Sequence, residues 1–91
     1  MQAWLRHLQA NRRYAAHTLE GYGRDLHRLA ELAVQAKVPL ERLANGHIRQ
    51  FVARLHAQGL GPHSLARALA AWRGFYQWWA PVAGLPGNPV A

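Results

Sequence analysis

The imbalance between helix-forming and strand-forming residues constrains the fold of this chain more than any other feature of its sequence. Ala and Leu together supply 30 of the 91 residues, whereas Val, Ile and Thr supply only 7. Ala and Leu are among the best helix formers, and β-branched residues favour strands. The length suits one domain and not two. We therefore predict a single all-α domain, built as a small bundle of four main helices.

Gly, Pro and Asn residues divide the chain into helical segments. The predicted helices cover residues 3–11, 17–36, 45–58 and 62–80, with a break at 12–16, a turn at 37–39 and a short piece at 40–43. Gly59 is expected to cap the third helix, and Pro62 to begin the fourth, where a proline loses no hydrogen bond. Pro81 is expected to end that helix. The helical domain is thus predicted at 1–82, followed by a Gly/Pro-rich linker at 83–91.

Each long segment carries an apolar stripe opposite a polar face, as helices of a bundle do. The stripe of the second segment contains Leu19, Tyr22, Leu26, Leu29 and Ala33, and that of the third contains Ile48, Phe51, Val52 and Leu55. The predicted core face of the fourth helix is centred on Trp72 and includes Leu65, Leu69, Tyr76 and Trp79. Its polar face carries His63, Arg67, Ala70, Gly74 and Gln77, with Arg73 at the border.

The two small residues on this polar face, Ala70 and Gly74, have two interpretations. Small exposed side chains allow a helix backbone to come close to a docking partner, and polar donors nearby can then reach bases or phosphates. A glycine inside a helix costs roughly 1 kcal/mol relative to alanine, which also fits close packing against another helix. A charged stripe opposite an apolar one is, moreover, typical of any solvated face. These alternatives stay open at the level of sequence.

The charge balance favours a polyanionic partner. Lys and Arg number 11 against 4 Asp and Glu, giving a formal net charge of +7, and all the basic residues except Lys37 are arginines. A nucleic acid, a membrane surface or an acidic protein suits such a field. The planar guanidinium group grips phosphates and guanine edges bidentately, so the preference for arginine favours nucleic acid.

Other functional classes lack their characteristic residues. The absence of Cys excludes disulfides and Cys-ligated zinc. No apolar run approaches the roughly 20 residues of a membrane span, and no apolar signal core opens the chain, which predicts a soluble, cytoplasmic protein. No Ser or Cys nucleophile is recognisable with a His base in a catalytic arrangement, there is no Gly-rich phosphate loop, and the carboxylates on predicted helices have no obvious partner. We therefore assign no catalytic residue, no metal site and no cofactor.

Two stretches of the sequence resemble the signatures of a known family. The first is HTLEGYGRDL at 17–26, and the second is GLGPHSLAR at 59–67 followed by WRGFYQW at 72–78. Both are similar to the N-terminal core-binding domain of tyrosine site-specific recombinases of the bacterial Xer type, and Asn88-Pro89 resembles the start of the interdomain linker. The resemblance runs through nearly the whole chain in the expected order.

The resemblance implies a fold, a function and partners. It implies a SAM-like bundle of about four helices that packs on one side of double-stranded DNA at the recombination core site, while a C-terminal domain closes on the other side. The second and fourth helices would face the major groove, and a XerD-like recombinase would join in a DNA-bound tetramer. The nucleophilic Tyr and its partners would lie in the C-terminal domain. The whole protein would be a DNA recombinase that resolves chromosome dimers without a nucleotide or metal cofactor.

The resemblance also implies six DNA-contacting residues. Two match polar positions of the first signature, Thr18 and Arg24. Four match the DNA-facing helix of the second signature, His63, Ser64, Arg67 and Arg73. Four of them, Arg24, His63, Arg67 and Arg73, also lie on or beside the polar faces found from the helical period alone.

Some positions depart from the pattern of the family. Ala15, Ala44 and Gly61 stand where Ser or Thr usually caps a helix, and losing such a cap typically costs about 0.5–2 kcal/mol. Ala68 and Gln77 stand where Arg or Lys is frequent. If those positions contact phosphates, this domain should bind DNA more weakly and with a shallower salt dependence than its relatives.

Two other functions are compatible with the composition. One is a free-standing helical DNA-binding protein, such as a regulator or a phage excision-type factor. The other is a protein-interaction bundle whose basic face meets an acidic partner and which binds DNA weakly, without site preference. Substitution of Arg67 by Ala separates the recombinase domain from the protein-interaction bundle. Site preference and affinity should both fall in the former, whereas DNA binding should change little in the latter.

Overall fold

The computed structural model describes residues 2–10 and 15–90, and the secondary structure of these residues is entirely helical. Its elements are α1 (Gln2–Ala10), α2 (Ala16–Ala36), a 3₁₀ turn (Leu40–Arg42), α3 (Asn45–Ala57) and α4 (Pro62–Ala83). The all-α prediction is confirmed. The predicted break at 12–16 lies for the most part outside the described residues, and α2 begins at its last position.

The helix ends follow the backbone preferences of the residues found there. Lys37 closes α2 in the left-handed conformation, with φ 59°, and its N–H bonds to carbonyl groups of the last turn. Gln58 follows α3, and the next residue, Gly59, has φ +96°, as expected for a residue just past a helix. Pro62 is the first residue of α4, as predicted. Gly59 and Pro62 therefore set the loop that turns the chain from α3 into α4.

The helix starts lack side-chain caps, in agreement with the small residues found there. Ala15 and Gly61 precede α2 and α4 without a capping hydrogen bond. At α3 the backbone N–H of Ala44 donates instead to Nδ1 of His47, 3.0 Å away. His47 thus supplies one of the contacts that a Ser or Thr cap would organise.

The prediction that Pro81 ends the fourth helix is wrong. Helix α4 runs through Pro81 to Ala83, and Gly84 closes it with φ 68°. A proline removes one hydrogen bond, here the one that Gln77 would accept, and Gln77 and Pro81 are both exposed. Water can satisfy the freed carbonyl at this surface, so the helix continues for two more residues.

Helix α4 contributes the largest buried side chains, and its core face is rotated relative to the prediction. Trp72, Phe75 and Tyr76 are almost completely buried. Ala68 and Ala71 are also fully buried, whereas three of the residues predicted for the core are only half-buried, Leu65, Leu69 and Trp79. The small alanines allow α4 to approach its neighbours closely. The centre of the buried face therefore lies nearer to the alanines than was predicted.

Helix α1 packs across α4 through the Trp4 contact, which consists of Trp4, Tyr22, Gly74 and Phe75. The ring of Trp4 stacks on Tyr22 with centroids 5.9 Å apart and meets Phe75 edge-on at 6.0 Å. A Cβ on Gly74 would lie only 3.0 Å from Cζ2 of Trp4. Of the two interpretations of Gly74, close packing of helices is therefore the one that the structure supports.

The Gly/Pro-rich segment that follows α4 folds back on the bundle. The side-chain amide of Asn88 donates to the carbonyl of Arg73 at 3.1 Å, and that of Asn45 donates to the carbonyl of Pro89 at 3.2 Å. Val90 is only 6% exposed and packs against the core. Residues 85–90 thus turn back after the end of α4 and contact both α4 and α3.

Candidate nucleic-acid interface

The most unusual polar feature of the molecule is a carboxylate buried between α2 and α4. Asp25 on α2 is 0% exposed. Arg67 on α4 donates from Nε to Oδ2 at 2.9 Å and from Nη2 to Oδ1 at 3.1 Å. This bidentate geometry is the strongest form of the arginine–carboxylate pair. The pair therefore fixes both the distance between the two helices and the orientation of the guanidinium group.

The surface of α2 is shaped to receive this guanidinium group. A Cβ on Gly21 would lie 3.4 Å from Nε of Arg67 and 3.5 Å from Cζ, so the glycine leaves the group just enough room. Trp72, one turn further along α4, donates from Nε1 to the backbone carbonyl of Asp25 at 2.7 Å. Within the described residues, every buried side-chain nitrogen and oxygen has a partner.

A second arginine approaches the same carboxylate. Nη1 of Arg28 lies 3.5 Å from Oδ1 of Asp25, the oxygen that also accepts from Nη2 of Arg67. The side chains of Arg67 and Arg28 are 33% and 37% exposed. Gly21, Asp25, Arg28 and Arg67 form the Asp25 cluster, in which two guanidinium groups cover one carboxylate and leave one net positive charge at the surface.

The environment of Arg67 keeps it protonated. Its hydrogen bond to Asp25 raises the pKa of the guanidinium group above its usual value, partial burial opposes this, and the charge of Asp25 adds to the rise. Because the pKa of Arg67 is higher in the folded state, the pair stabilises the fold fully at pH values below the pKa of free arginine. This stabilisation is lost only when the pH rises above that pKa. The pair therefore contributes throughout the neutral and alkaline range.

The six predicted contact residues differ in exposure. Arg24, His63 and Arg73 are exposed, and Thr18, Ser64 and Arg67 are half-buried. At 100° per residue, Arg73 lies about 120° around the axis of α4 from Arg67. The exposed face between them carries His63, Ala66, Ala70 and Gln77. The two arginines thus lie at opposite borders of one exposed face.

The sequence did not point to Asp25, Arg28 or Gly21 as members of a site, and one prediction about carboxylates is wrong. Asp25 has partners, and Glu31 has one as well, since its Oε1 lies 2.7 Å from Nε2 of His27. The spacing of Gly21, Asp25 and Arg28 along one face of α2 was the available signal. Of the two positions that the resemblance marked as usually basic, Ala68 is in the core and Gln77 is exposed.

Within residues 2–10 and 15–90, the structure lacks the features of two other kinds of site. In this part of the chain no three His, Asp or Glu side chains are placed so that they could hold a metal ion together. No helix described there is long and apolar enough to cross a membrane. The strongest candidate for binding is therefore the basic surface around the Asp25 cluster and the exposed face of α4.

Comparison with known families places the chain clearly. Residues 1–80 match the family model described as "Phage integrase, N-terminal SAM-like domain". No solved structure matches the chain. The family match covers all four helices apart from the last turn of α4.

Curated relatives extend the match. The chain is 45% identical over 91 residues to "Tyrosine recombinase XerC 1" of Ralstonia nicotianae, covering 97% of this chain and 28% of that protein. It is 47% identical over 79 residues to "Tyrosine recombinase XerC" of Pseudomonas aeruginosa, covering 86% and 26%. It is 37% identical over 92 residues to the XerC of Xanthomonas campestris, covering 100% and 29%. The chain thus spans little more than a quarter of the length of these relatives.

Proposed function

Because the chain belongs to the phage integrase N-terminal SAM-like domain family, we propose that it is the DNA-binding N-terminal domain of a XerC-like tyrosine recombinase. The observation that carries this proposal is the set of oriented guanidinium groups at the surface between α2 and α4. Arg67 uses two of its five N–H donors on Asp25, so three donors are left for a phosphate or a base edge. An arginine held in this way suits the bidentate recognition of DNA.

The proposed contact surface comprises both borders of the exposed face of α4. Arg67, Arg24 and Thr18 would contact the duplex from the side of α2, and Arg73 from the opposite border. His63 and Ser64, at the start of α4, would supply the remaining polar contacts. The exposed Ala66 and Ala70 lie between the two borders, so a helix with these small residues can approach a groove closely.

The activity of the whole protein is a further part of the proposal. The recombination chemistry would belong to a catalytic domain joined through the Gly/Pro-rich segment at 83–91, with the helical domain at 1–82 contributing no catalytic residue. In the cytoplasm, the complete recombinase would form a DNA-bound tetramer with a XerD-like recombinase. It would resolve chromosome dimers by site-specific recombination, without a nucleotide or metal cofactor.

A fluorescence-anisotropy titration tests the DNA-binding function. The domain is titrated with a labelled duplex that carries an imperfect palindromic core site and with a scrambled duplex, at several salt concentrations. About five phosphate contacts should give a log–log salt slope of about −4.5, and groove reading should give tighter binding to the palindrome. Equal binding to both duplexes would mean that the domain supplies charge and clamp geometry without reading sequence.

Two variants provide the matched comparison. Arg73→Gln should weaken binding and make the salt slope shallower by about one unit, because one phosphate contact is lost. Arg49→Gln removes the same charge from the exposed surface of α3, outside the proposed contact surface, and should have a smaller effect. If the domain fails to bind either duplex at low salt, the protein-interaction bundle becomes the better explanation of its charge.

A further inference from the structure

The Asp25 cluster contains one more arginine than neutralisation of its carboxylate requires. We propose that Asp25 is a positioning residue, which holds Arg67 and Arg28 side by side as one binding site for a DNA backbone phosphate. This inference rests on the proposed DNA-binding function and deepens it. It assigns roles to Asp25 and Arg28, two residues outside the six predicted contacts.

The geometry places the two guanidinium groups next to each other. Nη2 of Arg67 and Nη1 of Arg28 share a single oxygen, Oδ1 of Asp25, at 3.1 and 3.5 Å. Each arginine side chain is about one-third exposed, and Asp25 uses only two of the five N–H donors of Arg67. Asp25 itself is completely buried beneath them. A phosphate approaching this surface would therefore meet guanidinium donors and not the carboxylate.

Stability alone is a weak reason for such a cluster. Burying a charged pair costs desolvation energy that its attraction only partly offsets, and apolar residues of similar volume often stabilise a fold equally well. One bidentate arginine already satisfies both oxygens of Asp25. The contact of Arg28 with Asp25 is longer and places a second positive charge beside Arg67. A bound phosphate would stabilise these two neighbouring charges.

Fixing the guanidinium groups before binding also lowers the cost of the contact. A free arginine side chain loses up to about 2 kcal/mol of conformational freedom when it is ordered. Arg67 is ordered beforehand by two hydrogen bonds, and Gly21 provides the surface on which its guanidinium group lies. The same number of phosphate contacts should then give tighter binding than flexible arginines would.

The central test is Asp25→Asn, because it separates positioning from plain charge by the sign of the effect. The variant removes a negative charge while keeping the shape of the side chain, so electrostatics alone would tighten DNA binding. Positioning predicts the opposite, a loss of affinity of about 3- to 10-fold, the size of one ordered charge-assisted contact. Glu20→Gln removes the same charge from an exposed position of α2 and should leave affinity unchanged or raise it.

A second pair of variants keeps the test decisive if Asp25→Asn does not fold, which circular dichroism would reveal. Arg28→Gln leaves the bond between Arg67 and Asp25 intact. It should weaken binding more than Arg49→Gln does and make the salt slope shallower by about one unit. Thermal stability of Arg28→Gln should stay close to that of the wild type, since only a long and partly exposed contact is lost.

The outcomes distinguish failure of the inference from failure of the proposed function. If the wild-type domain binds duplex DNA and Arg73→Gln weakens it, the proposed function stands. Tighter binding by Asp25→Asn, or equal effects of Arg28→Gln and Arg49→Gln, would then overturn the positioning role alone. If the wild-type domain binds no DNA, the proposed function fails first.

Discussion

Helix α4 packs against α2 and against α1 at a glycine in each case, but one contact is polar and the other is aromatic. In the Asp25 cluster, Gly21 of α2 lies under the extended, hydrogen-bonded side chain of Arg67. In the Trp4 contact, Gly74 of α4 lies under the rigid ring of Trp4. The polar contact keeps charged groups at a partly exposed surface, whereas in the aromatic contact Trp4 and Phe75 are almost completely buried. The Asp25 cluster can therefore bind a ligand, whereas the Trp4 contact holds α4 in place.

The largest effect on stability should come from the Trp4 contact. Trp4→Ala removes a side chain that is only 4% exposed and is packed against Tyr22, Gly74 and Phe75. We expect the free energy of unfolding to fall by about 3–5 kcal/mol, as for other buried aromatic truncations. Helix α1 has nine residues and is too short to persist without this anchor.

Urea unfolding and far-ultraviolet circular dichroism measure this change. Arg6→Ala is the matched control, because Arg6 is an exposed residue of the same helix and should shift stability by less than about 0.5 kcal/mol. Similar losses in both variants would contradict the assignment of Trp4 as the anchor of α1.

The polar contact should give the next largest effect. Arg67→Ala leaves Asp25 buried with only the long contact to Arg28, and removing one partner of a buried pair costs up to about 3–5 kcal/mol. Because Arg67 is partly exposed and water can enter its place, we expect about 2–3 kcal/mol here.

A double variant separates the cost of an unpaired charge from the loss of packing. Asp25→Asn combined with Arg67→Ala carries no buried charge and should unfold at a higher urea concentration than Arg67→Ala alone. A double variant that is less stable than Arg67→Ala would show that the charge of Asp25 is not what destabilises the single variant.

The two glycines provide a direct comparison of rigid and flexible neighbours. Gly74→Ala would place a methyl group 3.0 Å from a Trp4 ring that two other aromatic rings hold in place. Gly21→Ala would place it 3.4 Å from an arginine side chain that can shift. Both gain up to about 1 kcal/mol of helix propensity, so Gly74→Ala should be destabilising by about 1 kcal/mol and Gly21→Ala close to neutral.

Thermal unfolding of both variants at neutral pH tests this difference. The comparison would fail if Gly74→Ala were the more stable of the two. Such a result would mean that the Trp4 ring moves as readily as the Arg67 side chain.

These two contacts also show which parts of the molecule can be predicted from the sequence. Local signals placed the helices well, because Gly59 and Pro62 act on the backbone of their own turn. The predicted helix end at Pro81 was wrong, because a helix tolerates a proline when the carbonyl that it leaves without a hydrogen bond is exposed to solvent. The pairing of Asp25 with Arg67 could not be found, since these residues are 42 positions apart and only the packing of α2 on α4 joins them.

The hydrogen bond between Tyr76 of α4 and the carbonyl of Leu40 sharpens the comparison through its response to pH. The phenol of Tyr76 is buried and donates to the carbonyl of Leu40 at 2.6 Å. Burial raises its pKa above the ordinary value of 10, with a smaller contribution from the charge of Glu41. Since the folded state holds this proton more tightly than the unfolded state, stability should be complete below pH 10 and fall as pH rises further. The Arg67–Asp25 pair persists in that range.

Tyr76→Phe should therefore have a modest effect at neutral pH and should change the alkaline behaviour. Loss of the hydrogen bond to Leu40 should cost about 1 kcal/mol at pH 7. Above pH 10, the free energy of unfolding should fall less steeply in Tyr76→Phe than in the wild type, so the two curves converge. Urea unfolding from pH 7 to 11 measures both terms, and parallel curves above pH 10 would contradict a phenol that is kept neutral by burial. Convergence would separate the pH-sensitive contact of α4 from the charged contact, which stays intact over the same range.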